Sequence, residues 1–337
     1  MKPLKVEDLG EFGLISKIGD FLAPYKSQWV SIGMGDDAAS IRPKPGFEIL
    51  ITCDSMVEER HFRLSHLSYE DLGRRAMAQN ISDIGAMGGI PFGALICLCI
   101  PEGFLVQGVM EMYKGFMIEL SPFGATIIGG NITKSISLEL HITLLGYVEQ
   151  GKAITRKGAK PGDAIFVTGF PGQASLGLKL LEKGFYEFPG LVQAYKKPHH
   201  RAFEARSLAT KGIPSAMIDI SDGLFSDLKH ICEESGVGAV IQLEHLPKNP
   251  NILRASRALN LDIHQVILGP SDDYELIFTC HKNQISEAED LFKVSGLTLS
   301  RIGYIKEGNG IEITHFGSKV LLEPKGWDHF IPSQEKG

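Results

Sequence analysis

The sequence predicts an α/β (α+β) protein of two domains. Short apolar runs rich in β-branched residues alternate along the chain with segments whose apolar residues recur at helical spacing. The 337 residues are 43% hydrophobic and 22% charged, which is sufficient for two domains with separate cores. The clearest break is the glycine-rich segment 146–162. We therefore expect an N-terminal domain at 1–150 and a C-terminal domain at 151–337.

Seven apolar runs are predicted to be strands, and a long helix is predicted between the first two. The runs are Glu48–Thr52, Ala94–Ile100, Ala125–Ile128, Leu138–Val148, Ala164–Thr168, Ser215–Ile218 and Glu275–Thr279. Leu72, Ala76 and Ile84 recur at helical spacing within 69–87. This helix places Asn80 and Asp83 one turn apart. A second helix is expected after Gly223, where Leu224, Leu228, Ile231 and Cys232 form one apolar stripe.

Composition argues against several classes of protein. The net charge of -6 and the lack of a basic stripe disfavour a nucleic-acid binder. The longest apolar stretch, 94–100, is far shorter than the roughly 20 residues of a membrane span. Residues 1–10 lack the apolar core of a secretory signal, so we expect a cytoplasmic protein. The five cysteines form no C-x-x-C pair, which predicts neither disulfides nor a zinc site, and most are expected to be buried.

Carboxylates recur where apolar runs meet turns of glycine, serine or threonine. They are Asp36, Asp37, Asp54, Asp83, Asp219, Asp222, Asp272 and Asp273. Acidic groups gathered at strand ends and helix starts indicate a shared cation, and oxygen ligands without thiolates or histidines favour Mg²⁺ or Ca²⁺ over zinc. Mg²⁺ beside glycine-rich backbone is typically held by carboxylates plus phosphate oxygens. The pattern therefore predicts phosphoryl transfer.

Each acidic motif also has a plain structural interpretation. Taken alone, Gly33–Ala39 is more typical of a turn than of a ligand site, and the nearby Thr52–Asp54 shifts this balance. Asp219 and Asp222 flank Ser221 at a position suited to helix capping. The same helix start also suits a metal bridged to a phosphate, because the helix dipole favours anions there. Gly129–Thr133 is either a turn or a close approach of backbone to phosphate, and Arg156 is either a solvated charge or a phosphate clamp.

Seven motifs in register together resemble the thiamine-monophosphate kinases. They are Gly35–Ala39, Thr52–Asp54 with His61–Phe62, Asn80–Gly88, Arg156–Asp163, Ile218–Leu224, Asp273–Leu276 and Gly326–Phe330. The resemblance implies the fold of the aminoimidazole ribonucleotide synthetase superfamily, in which the sheet of an α/β N-terminal domain pairs across a homodimer and an α/β C-terminal domain follows. It also implies transfer of the γ-phosphoryl group of ATP to thiamine monophosphate, giving thiamine diphosphate and ADP.

The resemblance assigns roles to individual positions. It implies a site for several Mg²⁺ ions at Asp37, Thr52, Cys53, Asp54, Asp83, Asn131, Asp219 and Asp222, with Cys53 acting through its carbonyl. It implies contacts to ATP from Tyr113, Gly130, Asn131, Arg156 and Ser221. It implies contacts to the thiamine substrate from His61, Asp272 and Trp327, since an aromatic face attracts a cationic thiazolium.

Three positions depart from the family pattern. Asn131 replaces a metal-binding aspartate, Lys134 replaces an arginine, and Gly269–Asp272 replaces a Gly-Gly-Glu turn with a shorter acidic side chain. No general base is expected, because the acceptor phosphate is already ionised near neutral pH and direct in-line transfer depends on positioning and charge stabilisation. Two alternatives remain at this point: another ATP-dependent enzyme of the superfamily, such as aminoimidazole ribonucleotide synthetase, and a catalytically degenerate nucleotide-binding dimer.

Overall fold

The computed structural model describes residues 3–322 and divides into two compact units. The first unit extends to Ala153 and the second begins at Ile154. Among residues 3–322, no helix is both long and apolar enough to cross a membrane.

Between residues 3 and 153, the first unit contains three α-helices and six strands in chain order. They are α1 (Val6–Leu22), β1 (Val30–Ile32), β2 (Ser40–Ile41), β3 (Phe47–Val57), α2 (Tyr69–Ala86), β4 (Ile90–Ile100), α3 (Val106–Leu120), β5 (Thr126–Lys134) and β6 (Glu139–Glu149). Ser68 starts α2 by accepting a hydrogen bond from the backbone N–H of Asp71, and the predicted apolar stripe of this helix is buried.

Strands β3, β6, β4 and β5 form one sheet in that order, with two unlike faces. β3 pairs antiparallel with β6 from Phe47 opposite Glu149 to Val57 opposite Glu139. Along β6 every second residue from Leu140 to Val148 is buried on the side covered by α2, whereas the residues between them are only half-buried. We call the second side the open face. It also carries Ile51 and Cys53 of β3 and Cys97 of β4.

The second unit is built on a seven-stranded sheet with helices around it. Its elements are β7 (Ala164–Thr168), α4 (Gln173–Glu182), α5 (Pro189–Lys196), α6 (Ala202–Lys211), β8 (Ala216–Asp219), α7 (Leu224–Ser235), β9 (Gly238–Gln242), α8 (Pro250–Ala258), α9 (Ile263–Leu268), β10 (Leu276–Cys280), α10 (Ile285–Ser295), β11 (Leu299–Lys306), β12 (Ile311–His315) and β13 (Ser318–Lys319). The strand order is β13, β12, β9, β11, β7, β10, β8.

A buried ion pair holds the start of β10 in the second unit. The guanidinium of Arg201 donates to both carboxylate oxygens of Glu275, over 2.7 and 2.6 Å. The hydroxyl of Thr168 donates to Glu275 Oε2 over 2.6 Å, so the buried carboxylate is well satisfied. This network fixes the segment that leads from residue 269 into the sheet.

The predicted mixed α/β class is confirmed, and two local expectations are wrong. Residues 129–133 lie within β5 and not in a turn, because β5 pairs in parallel with β4 as far as Lys134. Cys53 and Cys97 are exposed and Cys99 is half-buried, since they occupy the open face, whereas Cys232 and Cys280 are buried as expected.

Candidate active site

The first unit brings three predicted metal-site residues together beneath its sheet. Thr52 and Asp54 lie on the helix-covered side of β3, and Asp83 lies on the facing side of α2. The hydroxyl of Thr52 donates to Asp83 Oδ2 over 2.5 Å. Alternation along β3 therefore presents two oxygen side chains to one carboxylate of the helix.

The carboxylates of Asp54 and Asp83 repel each other when both are ionised. Burial and, secondly, the nearby Asp83 carboxylate together raise the pKa of Asp54 to about 7. Asp54 Oδ2 is buried and has no hydrogen-bond partner. A divalent cation would relieve both features, because it satisfies an orphaned carboxylate oxygen and offsets like charge. The residues present thus fit Mg²⁺.

Two other predicted metal-site residues are more exposed. Asp37 lies in the exposed turn between β1 and β2, where its backbone N–H donates to Asp36 Oδ1 over 2.9 Å. The Cys53 side chain lies on the open face, where its Sγ accepts a hydrogen bond from the Thr143 hydroxyl over 3.5 Å. The expected role of the Cys53 carbonyl as a metal ligand stays a prediction.

Gly130 and Asn131 lie in β5 beside β4. Gly130 has a φ of 152°, and a Cβ there would come within 1.9 Å of the Ile96 carbonyl oxygen, so the strands approach too closely for any other residue. Asn131 is exposed and pairs with Cys97, which in turn pairs with His141 on the open face. The strand register therefore places Asn131 on the side of the sheet opposite Asp54.

The remaining predicted ligand contacts of the first unit differ in accessibility. His61 is half-buried just after β3, where its Nδ1 accepts a hydrogen bond from the backbone N–H of Val57 over 3.1 Å. Tyr113 lies inside α3 at 4% exposure, with its ring edge-on to Phe116. The predicted contact of Tyr113 with ATP stays a prediction.

The second unit places Asp219, Ser221 and Asp222 at one tight turn between β8 and α7. Asp219 is the last residue of β8 and only 3% exposed, whereas Ser221 is exposed and Asp222 half-buried. Gly223 has a φ of 113°, and a Cβ there would lie 2.2 Å from the Gly269 carbonyl oxygen. The turn therefore packs directly against the loop that contains Asp272.

Asp227 organises this turn and was not predicted from the sequence. One of its oxygens, Oδ2, accepts hydrogen bonds from the backbone N–H groups of Ser221, Asp222 and Gly223 over 3.0 to 3.1 Å. Asp227 is 1% exposed, and burial raises its pKa to about 7, with the Asp222 carboxylate adding to the shift. The available signal was an aspartate in the first turn of a helix that follows a glycine.

Arg156 lies exposed on a loop that Ser235 fastens to the end of α7. The Ser235 hydroxyl donates to the Arg156 carbonyl over 3.2 Å and accepts from the N–H groups of Gly158 and Ala159. The loop backbone is fixed while the guanidinium remains accessible. This arrangement suits an arginine that clamps a phosphate.

The tandem aspartates of the 269–273 loop have different surroundings. Asp273 is buried and accepts hydrogen bonds from the N–H groups of Gly172 and Ala174 at the start of α4, over 2.5 and 2.8 Å. Burial raises its pKa to about 6. Asp272 is half-buried, and its predicted substrate contact stays a prediction. Trp327, the other predicted substrate residue of the C-terminal half, lies outside the described residues.

Each unit thus offers one oxygen-rich cluster suited to a cation and a phosphate. The first contains Thr52, Asp54 and Asp83, and the second contains Asp219, Ser221 and Asp222. Neither cluster contains a nucleophile paired with a base, the arrangement required for covalent catalysis. The chemistry they support is the neutralisation and positioning of phosphates.

Two family models cover most of the chain. The N-terminal domain of AIR synthase related protein matches residues 35–148, and its C-terminal domain matches residues 160–316. Thiamine-monophosphate kinase of Bacillus subtilis is 32% identical, covering 96% of this chain and 100% of its own length. The Aquifex aeolicus thiamine-monophosphate kinase is 34% identical, covering 97% of this chain and 100% of its own length.

Comparison with solved structures indicates the same family. Thiamine-monophosphate kinase from Stenotrophomonas maltophilia K279a superposes with a TM-score of 0.82 at 29% identity, covering 92% of this chain and 98% of its own. AaThiL complexed with AMPPCP and TMP gives a TM-score of 0.75 at 32% identity, covering 98% of this chain and 100% of its own. The hydrogenase maturation protein HypE, at 18% identity and a TM-score of 0.75, shares the fold. The chain therefore belongs to the thiamine-monophosphate kinase family, within the AIR synthase related proteins.

Proposed function

We propose that this protein transfers the γ-phosphoryl group of ATP to thiamine monophosphate, giving thiamine diphosphate and ADP. The family relationship supports the substrates, because a member 32% identical to this chain has been solved with AMPPCP and TMP. The structural observation that carries phosphoryl transfer is the Asp54–Asp83 pair, in which a buried carboxylate oxygen has no protein partner. A divalent cation would neutralise this pair and occupy the unpartnered oxygen, and the co-substrate is a polyphosphate.

The Mg²⁺ ions are part of this proposal. Their ligands would be Asp54, Asp83, Thr52, Asp37 and the Cys53 carbonyl of the first unit and Asp219 and Asp222 of the second. Asn131 lies on the side of the sheet opposite Asp54, so it would hold a separate ion. When bound, Mg²⁺ supplies positive charge that reduces repulsion between the two phosphate-bearing substrates and stabilises the developing negative charge. Asn131 contributes one charge fewer than a carboxylate would.

The protein's own groups position the reactants. Thr52 orients the Asp83 carboxylate through its hydroxyl, and Asp227 fixes the backbone that carries Ser221 and Asp222. Arg156, Ser221, Gly130 and Tyr113 are assigned to ATP, and His61, Asp272 and Trp327 to the thiamine substrate. The acceptor phosphate is ionised near neutral pH, since second phosphate pKa values lie near about 6. Direct transfer then needs no general base and forms no covalent phosphoenzyme.

We propose further that the active form is a homodimer joined through the open face. This face carries exposed Ile51 together with Leu95 and Leu145, which the strand register places on the same side of the sheet. Exposed apolar side chains gathered on one sheet face are commonly covered by a partner. Because the co-substrate is ATP, we propose the cytoplasm as its compartment.

Product analysis tests the proposed reaction. Purified protein is incubated with ATP, Mg²⁺ and thiamine monophosphate, with thiamine as a parallel substrate, and products are separated by chromatography. We expect thiamine diphosphate from the monophosphate only. Asp83→Asn should lower the rate at least about tenfold, equivalent to about 1.4 kcal/mol of transition-state stabilisation. Asp290→Asn, an exposed change on α10, serves as the matched control and should leave the rate unchanged.

Other outcomes identify the alternatives. Bound ATP and Mg²⁺ without turnover of either substrate would indicate a degenerate nucleotide-binding protein. Full activity in folded Asp83→Asn would remove this carboxylate from the site.

A further inference from the structure

Three metal-ligating side chains converge at one end of the open face. Cys99 of β4 pairs directly with Glu139 of β6, and His141 follows two residues later on the same face. The ligand atoms of Cys99, Glu139 and His141 all lie within 4.8 Å of one another. His141 Nε2 and Glu139 Oε2 are 3.5 Å apart. Tetrahedral metal bonds of about 2.0–2.3 Å place neighbouring ligand atoms roughly 3.3–3.8 Å apart, so this spacing already approaches that of a metal site.

Hydrogen bonds orient two of these ligands. The Ser55 hydroxyl pairs with His141 Nδ1 over 2.7 Å, which directs Nε2 towards Glu139. The hydroxyls of Ser135 and Ser137 donate to Glu139 Oε1 over 3.2 and 2.8 Å, which leaves Oε2 as the oxygen facing the histidine. Outer hydrogen bonds that fix the second nitrogen of a histidine and the second oxygen of a carboxylate are characteristic of protein metal sites.

The chemistry of the ligands selects the type of metal. A thiolate, an imidazole and a carboxylate together suit zinc and similar borderline transition metals, whereas Mg²⁺ prefers oxygen ligands alone. Burial raises the pKa of the Cys99 thiol, and the negative charge of Glu139 adds to this effect. Metal binding would therefore displace the thiol proton, so that affinity increases with pH.

We propose that Cys99, Glu139 and His141 form a site for a Zn²⁺-like transition metal ion. This site is separate from the carboxylate clusters assigned to phosphoryl transfer. The three side chains are half-buried and lie on the sheet face opposite Asp54. Sequence spacing did not reveal the site, because its ligands come from two strands and form no short motif.

Cobalt spectroscopy tests the proposal on the untagged full-length protein. Co²⁺ is added with excess Mg²⁺ present, so that sites composed only of oxygen ligands are occupied. We expect one equivalent of Co²⁺ to give a thiolate-to-cobalt charge-transfer band that Zn²⁺ removes in competition. Cys99→Ser should abolish the band, and Glu139→Gln and His141→Asn should each weaken Co²⁺ binding at least about tenfold, as loss of a ligand predicts.

The matched control is Cys53→Ser, which changes an exposed cysteine on the same face but outside the cluster. This variant should retain the band and the stoichiometry. Circular dichroism establishes that each variant is folded. The proposal is overturned if wild-type protein shows no thiolate band, or if the band persists in folded Cys99→Ser. Because the readout is spectroscopic, failure here leaves the kinase proposal intact.

Discussion

The Thr52 hydroxyl orients Asp83, one of two neighbouring carboxylates. Its hydrogen bond to Asp83 Oδ2 gives one carboxylate a fixed orientation, while Asp54 Oδ2 remains unpartnered. Burial of Asp54 makes its charge unfavourable without a cation. A single hydroxyl thus orients one carboxylate of the pair.

We expect Thr52→Val to reduce kcat about tenfold, whereas Thr52→Ser should remain close to wild type. Valine preserves the shape of threonine but removes the donor, and a hydrogen bond to a charged group contributes about 1.5–3 kcal/mol. Steady-state kinetics on both variants measures the difference. Equal activity of the valine and serine variants would show that the hydroxyl has no role in turnover.

His200 predicts a pH dependence of stability. Its Nδ1 accepts the backbone N–H of Ala202 over 3.4 Å, an interaction that requires a neutral ring. Burial lowers the pKa of His200 to about 4, and Arg201 and His199 add to the effect. The unfolded chain therefore binds a proton first as the pH falls. We expect this contribution to the free energy of unfolding to decline between pH 6.5 and 4, by at most about 1.4 kcal/mol per pH unit.

Urea unfolding at several pH values measures this effect. His200→Gln should flatten the stability profile across this pH range, and His199→Gln, which changes the exposed neighbour, should keep the wild-type slope. A wild-type slope in His200→Gln would assign the acid sensitivity to other groups.

At the scale of elements, the β8–α7 turn shows how a helix start is held in place. Asp227 lies one turn into α7 and reaches back to three successive backbone N–H groups with one oxygen. Gly223 permits the close approach of this turn to the Gly269 loop. The helix therefore fixes Ser221 and Asp222 through its own first turn.

We expect Asp227→Ala to destabilise the protein by about 2 kcal/mol or more and to weaken ATP binding, because three backbone donors lose their acceptor. Asp227→Asn retains an acceptor oxygen and should lose less of both. Chemical unfolding measures stability, and equilibrium dialysis with ATP measures binding. Wild-type ATP affinity in a stably folded alanine variant would separate the turn from nucleotide recognition.

The sequence analysis correctly predicted the elements whose pattern is visible within a few neighbouring residues. The strand over Ala164–Thr168 is observed with the same bounds, and the helix over 69–87 is one residue shorter, because a continuous apolar run and a helical stripe are each visible within a few residues. The strand character of Gly129–Thr133 was missed, since it depends on pairing with β4, about 35 residues earlier in the chain. Asp227 was missed for a similar reason, because an acidic residue on a helix resembles a solvated one until its partners are known.

At the scale of the molecule, the topology of the first unit gives its sheet one helix-covered side and one open face. Helices cover one side of the β3–β6–β4–β5 sheet, and the other side exposes Ile51 at 67%. If this face joins two copies, a charge at its centre must be desolvated on association.

Ile51→Asp should therefore convert the proposed dimer to monomers in sedimentation velocity. Ile136→Asp changes a 100% exposed isoleucine in the connection between β5 and β6 and should leave the dimer intact. A monomeric wild-type protein would contradict the dimer itself. A dimeric Ile51→Asp would place the interface elsewhere.

The adjacent residues Asp272 and Asp273 have opposite tolerances to change. Asp273 anchors the start of α4 through two backbone N–H groups, so its replacement would disturb the helix. Asp272 is half-buried, whereas Asp273 is only 8% exposed, so a change of side-chain length disturbs less packing at 272 than at 273. If Asp272 contacts the acceptor as proposed, a change of acceptor preference would therefore cost less folding stability at position 272 than at position 273.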